Sequence, residues 1–97
     1  EAETNTSGTK STIKFRVQIA TSKNKVETKS YNFKGMNDVD MYISGKFYKY
    51  IVGNYETVEE AKKRLSSVKE KGYTSAFIIA FENGERISVK EAIAKTK

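Results

Sequence analysis

Arg16 and Gln18 sit in the run IKFRVQIA, alternating with Phe15, Val17 and Ile19; Lys49 sits between Tyr48 and Tyr50 in YKYIV, two residues before Ile51. Period-two alternation sends neighbours to opposite faces of a strand. The two runs therefore place Phe15, Val17, Ile19, Tyr48, Tyr50 and Val52 against a core and leave Arg16, Gln18, Lys49 and Ile51 on the other side, Lys49 and Ile51 as an exposed pair. In VDMYIS the same alternation turns Val39, Met41 and Ile43 inward and Asp40 and Tyr42 outward. Guanidinium, carboxamide and ammonium donors beside an apolar platform and a ring suit a polyhydroxylated ligand, which needs hydrogen bonds around its rim and a flat contact for its face. Acid-base catalysis needs something else. The chain has no histidine and no cysteine, which removes the commonest general base, the commonest zinc ligand, the thiolate nucleophile and the disulfide. No catalytic residue, metal or cofactor is expected.

The elements that position these residues can be read in order. At 97 residues, 37% of them apolar and 31% charged, the chain is one domain with a modest core. Residues 1–11, EAETNTSGTKS, are small and polar and read as a flexible linker. Asn5-Thr6-Ser7 has the form of a glycosylation acceptor, a tripeptide that arises by chance in such tails. The domain spans 12–97. Its first strand is IKFRVQIA. Residues 21–38 fit neither helical nor strand period and read as an irregular crossover, and two antiparallel strands then flank a turn at Ser44-Gly45. Thr57 and Glu60 form a capping box opening a helix with the apolar stripe Val58, Ala61, Leu65 and Val68. Lys62, Lys63, Arg64, Lys69 and Lys71 form its solvated face, with Glu59–Lys63 and Glu60–Arg64 at i,i+4, and Gly72 ends it. AFIIAF is the fourth strand. Asn83-Gly84 then lets Glu85 to Ile87 fold back, and a second capping box at Ser88 and Glu91 starts a short C-terminal helix. The sum is an α+β, ferredoxin-like βαββαβ plan: a four-stranded antiparallel sheet, helices on one face, the other face open.

The longest apolar run, Ala76 to Phe81, is strand-sized, so membrane insertion is not expected. The chain begins with Glu and carries no apolar leader, as an excised or processed piece would. Its net charge of +6 favours anionic partners without choosing among them. RNA-recognition domains share the topology and stack bases on sheet aromatics, and KGYTSAFIIAF echoes their strand signature. That echo falls on the fourth strand, has two extra residues and faces Arg16 and Gln18 rather than a second aromatic. An RNA-binding module is thus the alternative reading.

The paired strands FRVQIA and YKYIVG, followed by NYETVEEAKKRLSSVKEKGYTSAFIIAF, resemble a SPOR domain over Phe15 to Phe81, including Gly53-Asn54-Tyr55 to Ala61, Leu65 and Gly72-Tyr73. The tail AFENGERISVKEAI resembles the form attached to N-acetylmuramoyl-L-alanine amidases of Bacteroides-type bacteria. The first crossover departs from the family, which usually has a clear helix there. The resemblance implies non-catalytic binding of peptidoglycan glycan strands, particularly strands lacking stem peptides, in the bacterial periplasm, so as to target a cell-wall enzyme or division protein. It implies no nucleic-acid role, and the chain is expected to act as a monomer. Together with the residue pattern it makes Arg16, Gln18, Tyr42, Lys49 and Ile51 the expected glycan-binding residues, with Asn54 and Tyr55 in turn and helix-packing roles.

Overall fold

The structure, a computed structural model, describes residues 12–96. The linker expected at 1–11, with its Asn5-Thr6-Ser7, lies outside them. The elements in chain order are β1 (Ile13–Ser22), a 3-10 turn (Ser30–Asn32), β2 (Val39–Ser44), β3 (Phe47–Tyr55), α1 (Val58–Glu70), β4 (Phe77–Glu82), β5 (Glu85–Ile87) and α2 (Val89–Thr96). The sheet runs β2-β3-β1-β4-β5, and every neighbouring pair is antiparallel.

The expected four strands are thus five. Asn83 and Gly84 both take positive φ, 52° and 87°, the geometry of a type I′ turn, whose twist matches that of the strands it joins. Glu85–Ile87 therefore folds back in register, Glu82 opposite Glu85 and Ala80 opposite Ile87. The other hairpin turns one residue later than expected: Ser44 pairs with Phe47, and Gly45-Lys46 make the turn with φ +62° at Gly45. Ile43, expected inward, is 65% exposed. It sits at that hairpin end, whereas α1 packs on β1, β3 and β4.

Both helices lie on one face and bury what the alternation assigns to it. Val68 and Leu65 of α1 meet Val17, Ile19, Tyr50 and Val52; Ala61 of α1 and Ala92 of α2 meet Phe15 and Ala80. Alanine at those two helix positions lets the backbones approach the sheet closely. Capping follows the expected pattern, with the Glu60 N–H donating to Thr57 Oγ1 at 3.2 Å and the Glu91 N–H to Ser88 Oγ at 3.0 Å. At the other end of α1 the Tyr73 N–H bonds Val68 O and the Gly72 N–H bonds Lys69 O, both at 3.1 Å. This Schellman closure requires the left-handed residue that Gly72 supplies at φ +116°.

The first crossover has no α-helix. It is held by side chains instead: Phe33 and Met36 are buried, the Phe33 and Tyr50 ring centroids lie 5.3 Å apart, and the Val26 N–H donates to the buried Tyr50 hydroxyl at 2.6 Å. Lys34 Nζ donates to Lys71 O at 2.8 Å, placing a cation on the C-terminal end of α1, where the helix dipole favours it.

Arg64 leaves the solvated face expected for it. Its two terminal nitrogens donate to the Asp38 carboxylate at 2.7 Å each, and one also reaches the Tyr55 hydroxyl at 3.2 Å. A bidentate fork to a fixed carboxylate outcompetes an exposed i,i+4 partner on geometry alone. The Arg64 hydrogen bonds hold the Asp38 carboxyl below the usual carboxylate range, against a smaller opposing effect of burial. A depressed folded pKa stabilises the fold fully above the unfolded carboxylate pKa of about 3.9 and ceases to do so as pH falls through the folded value. Because Asp38 is 43% exposed, the contribution is on the order of 1 kcal/mol. Urea melts of the native chain and Asp38→Asn are expected to differ at pH 7 and to converge as pH falls through the lowered pKa of the folded carboxyl. An unchanged difference at low pH would show that the carboxylate charge is not what holds this corner.

Candidate functional site

The face away from the helices is built by register. Gln18 lies opposite Ile51 and Phe77, Arg16 opposite Ile79, Lys14 opposite Phe81, Asp40 opposite Ile51, and Tyr42 opposite Lys49. All five residues expected in the site, Arg16, Gln18, Tyr42, Lys49 and Ile51, therefore share this face. Two irregularities in the β1–β3 pairing add to it. Between Phe15 and Val17 the partner strand sets two residues, Gly53 and Asn54, against the single Arg16; between Gln18 and Ala20, β1 carries Ile19 as the extra residue. The second bulge turns Thr21 onto the same face as Gln18, whose Nε2 donates to Thr21 Oγ1 at 3.3 Å.

The expectation of an open face is corrected here. Gln18 is 5% exposed, Ile51 2% and Ile79 0%, so Ile51 is no exposed partner for Lys49 and Gln18 is no free surface donor. The sheet coils over itself. In a flat sheet β2 and β4 would stand about 14 Å apart, three strand spacings; here the Tyr42 and Phe81 ring centroids are 5.4 Å apart, edge to face. Cumulative strand twist of about 20–25° per pair, increased locally by bulges, brings one diagonal of a five-stranded sheet together. Along that diagonal Arg86 Nη1 reaches the Tyr42 hydroxyl at 3.4 Å, Tyr42 donates to Gln18 Oε1 at 3.0 Å, and Gln18 passes on to Thr21. The rings close over Ile51 and Ile79.

At one end of this covered strip lies a cavity of about 220 Å³, lined by Arg16, Asp40, Tyr42, Ile51, Asn54 and Phe81 among others. Arg16 is fixed there: its Nε donates to Gly53 O at 2.6 Å and its Nη1 meets Asp40 Oδ2 at 3.4 Å. Lys14 at the rim pairs with Glu56 at 3.3 Å. At the opposite end Phe47 and Phe77 are exposed, and Lys49 has no ion pair among the described residues. Arg16, Tyr42 and Ile51 thus line the cavity, Gln18 orients Tyr42 from beneath, and Lys49 lies on the far side of the roof. No group of histidine, cysteine or carboxylate side chains among the described residues could hold a metal ion. No helix of the structure is long and apolar enough to cross a membrane.

The family model described as SPOR domain matches residues 11–80. The chain belongs to the SPOR domain family. SPOR domains bind peptidoglycan rather than transform it, and they occur in bacterial cell-envelope proteins. A search among curated proteins and another among solved structures returned no significant match. Within this SPOR domain, the side chains that pattern reasoning left out are Thr21, Ile79, Phe81 and Arg86. A signal for Ile79 and Phe81 was present: AFIIAF is apolar at every position, the pattern of a strand covered on both faces. The bulge that recruits Thr21 left no trace in the alternation.

Proposed function

We propose that this domain binds peptidoglycan glycan strands stripped of their stem peptides, at the cavity beside Tyr42–Phe81 and across the adjoining sheet surface, and so directs an attached cell-wall enzyme or division protein to such strands in the periplasm. It acts as a monomer and carries out no chemistry. The observation that supports this most is the cavity beside the Tyr42–Phe81 pair. It joins apolar walls at Ile51, Tyr42 and Phe81 with the fixed donor Arg16, as the two sides of a sugar require. Arg16, Tyr42 and Ile51 contact the sugar at the cavity, Gln18 holds Tyr42 in place, and Lys49 meets the strand on the far side of the rings. The resemblance of the tail to the form found on cell-wall amidases points to such an enzyme as the cargo.

The test is a pull-down on sacculi with and without prior amidase treatment, beside a titration with single-stranded RNA at two salt concentrations. Retention is expected to rise on amidase-treated sacculi and to change little with salt, whereas phosphate-driven RNA binding weakens steeply as salt rises. Equal or stronger retention on untreated sacculi, or tight salt-sensitive RNA binding, would defeat the proposal.

A further inference from the structure

We infer that the free end of the β2–β3 hairpin is a peripheral contact for an anionic lipid surface, with Ile43 and Phe47 entering the headgroup boundary and Lys23, Lys25 and Lys46 meeting the phosphates. This goes beyond the glycan reading and does not depend on it. Register supplies the first observation. Ile43 lies opposite Tyr48, which packs on the core, and Ser44 lies opposite Phe47. Ile43 therefore takes the helix-bearing face and Phe47 the other, with only Gly45-Lys46 between the strands. Both side chains are exposed: α1 packs on β1, β3 and β4, and the Tyr42–Phe81 pair closes over Ile51 and Ile79 farther along the sheet. Apolar groups on both sides of one turn form a wedge. A flat ligand lying on one face of the sheet would cover one of them and leave the other wet.

Charge at this end has one sign. β1 finishes at Ser22, opposite Tyr48, which brings the exposed Lys23 beside Phe47 and starts the loop that carries the exposed Lys25; Lys46 is in the turn itself. None of these lysines has an ion pair among the described residues. The stretches 12–26 and 41–55, which build this end of the sheet, contain no carboxylate, and the pairs Lys14–Glu56, Arg16–Asp40 and Arg64–Asp38 gather toward the other end. An anionic bilayer answers both features, since a small apolar wedge and a few lysines hold a membrane surface together where neither does alone. The contact lies on the bilayer and crosses nothing. Two side chains are far short of the roughly 800 Å² that each partner buries in a stable protein interface, and a single ring at the tip gives successive bases of a nucleic acid no platform. Asp40, at the glycan cavity, is about 13 Å from Ser44 along β2. A glycan strand at the cavity and lipid at the hairpin can thus be held together, so that the domain samples strands at the membrane-facing side of the wall.

The experiment is sedimentation of the 97-residue chain with vesicles of phosphatidylcholine alone and of phosphatidylcholine and phosphatidylglycerol in equal parts, beside emission from a Phe47→Trp variant, the chain having no other tryptophan. Binding is expected on the anionic vesicles alone, with a blue shift of that emission and quenching by lipids brominated along the acyl chain. The Ile43→Ser, Phe47→Ser double variant is expected to lose about tenfold in vesicle affinity, and Lys23→Gln and Lys46→Gln about fivefold each. All should melt like the native chain, as exposed substitutions do, and stay on amidase-treated sacculi as it does. No sedimentation with anionic vesicles, equal binding to both vesicle types, native affinity in the double serine variant, or an emission that saturating vesicles leave unmoved overturns the proposal. Loss of sacculus retention in the double serine variant would make Ile43 and Phe47 part of the glycan site. Single-stranded RNA binding that needs Lys23 and Lys46, without vesicle binding, would make the lysines a nucleic-acid contact; either result overturns the proposal as well. Glycan binding itself is judged separately, on the sacculi.

Discussion

Replacing Gly53 with alanine is expected to destabilise the fold by about 2–4 kcal/mol, on the order of 10–30 °C in melting temperature for a domain of this size. Two costs add. Gly53 sits at φ +78° in the first irregularity of the β1–β3 pairing, a conformation L side chains rarely adopt, and a Cβ there would run into the Tyr55 ring. The residue cannot simply relax, because its carbonyl accepts from Arg16 and its backbone also bonds Asp38. Gly45→Ala is the control: φ is similarly positive, +62°, but the space around it is open, so only about 1 kcal/mol is expected. Thermal melts of Gly45→Ala, Gly53→Ala, Tyr55→Ala and the Gly53→Ala, Tyr55→Ala double variant separate the effects, because the single Tyr55→Ala variant carries the lost Arg64 bond and core packing and the departure from additivity gives the collision cost. If the two glycine variants melt together, the ring is free to step aside and the bulge is not held as described.

Tyr42→Ala is expected to cost about 2–4 kcal/mol and to abolish retention on sacculi at temperatures where the variant is still folded. The ring supplies an edge-to-face contact with Phe81, cover over Ile51, and the hydroxyl donor to the nearly buried Gln18. Losing the donor alone costs about 1–2 kcal/mol, since it leaves Gln18 Oε1 without it in a dry setting; losing the ring contact adds about 0.5–1.5, and the uncovered apolar floor adds the rest. Tyr42→Phe keeps ring and roof and is expected to show the hydroxyl cost alone, with retention largely kept. Melting curves and pull-downs on the same preparations check this. Tighter retention by folded Tyr42→Ala protein would make the ring a cover that ligand must displace rather than a wall it rests on.

Local patterns in the sequence were reliable where the cause of structure is itself local. The capping boxes at Thr57 and Ser88, the Asn83-Gly84 turn and the alternation of β1 as far as Gln18 all depend on residues within a few positions of one another, and they appear as read. Apart from the hairpin turn, which falls one residue later than its Ser44-Gly45 signal, the misreadings share a different origin. Arg64 looked solvated because its partner, Asp38, is 26 positions away; Gln18 and Ile51 looked exposed because what covers them, Tyr42 and Phe81, comes from strands that meet only when the whole sheet coils. Alternation states which face a residue takes, not whether that face is folded upon itself. The first crossover illustrates the same limit: Val26, Phe33 and Met36 have no period because they are spaced to reach Tyr50 and its neighbours rather than to form a repeat.

The match to the SPOR domain family ends at residue 80, one position before Phe81. Strand floor, bulges and Tyr42 all fall within it, while Phe81 and Arg86, which complete the roof, belong to the β4–β5 hairpin that follows, and α2 clamps that hairpin through Lys95 Nζ on Glu82 at 2.8 Å. The cover over the sheet is therefore assembled from two stretches of the chain, Tyr42 from inside the family match and Phe81 and Arg86 from the hairpin that runs past it, so that substitutions among the last sixteen described residues reshape the cover while the strands beneath it stay as they are.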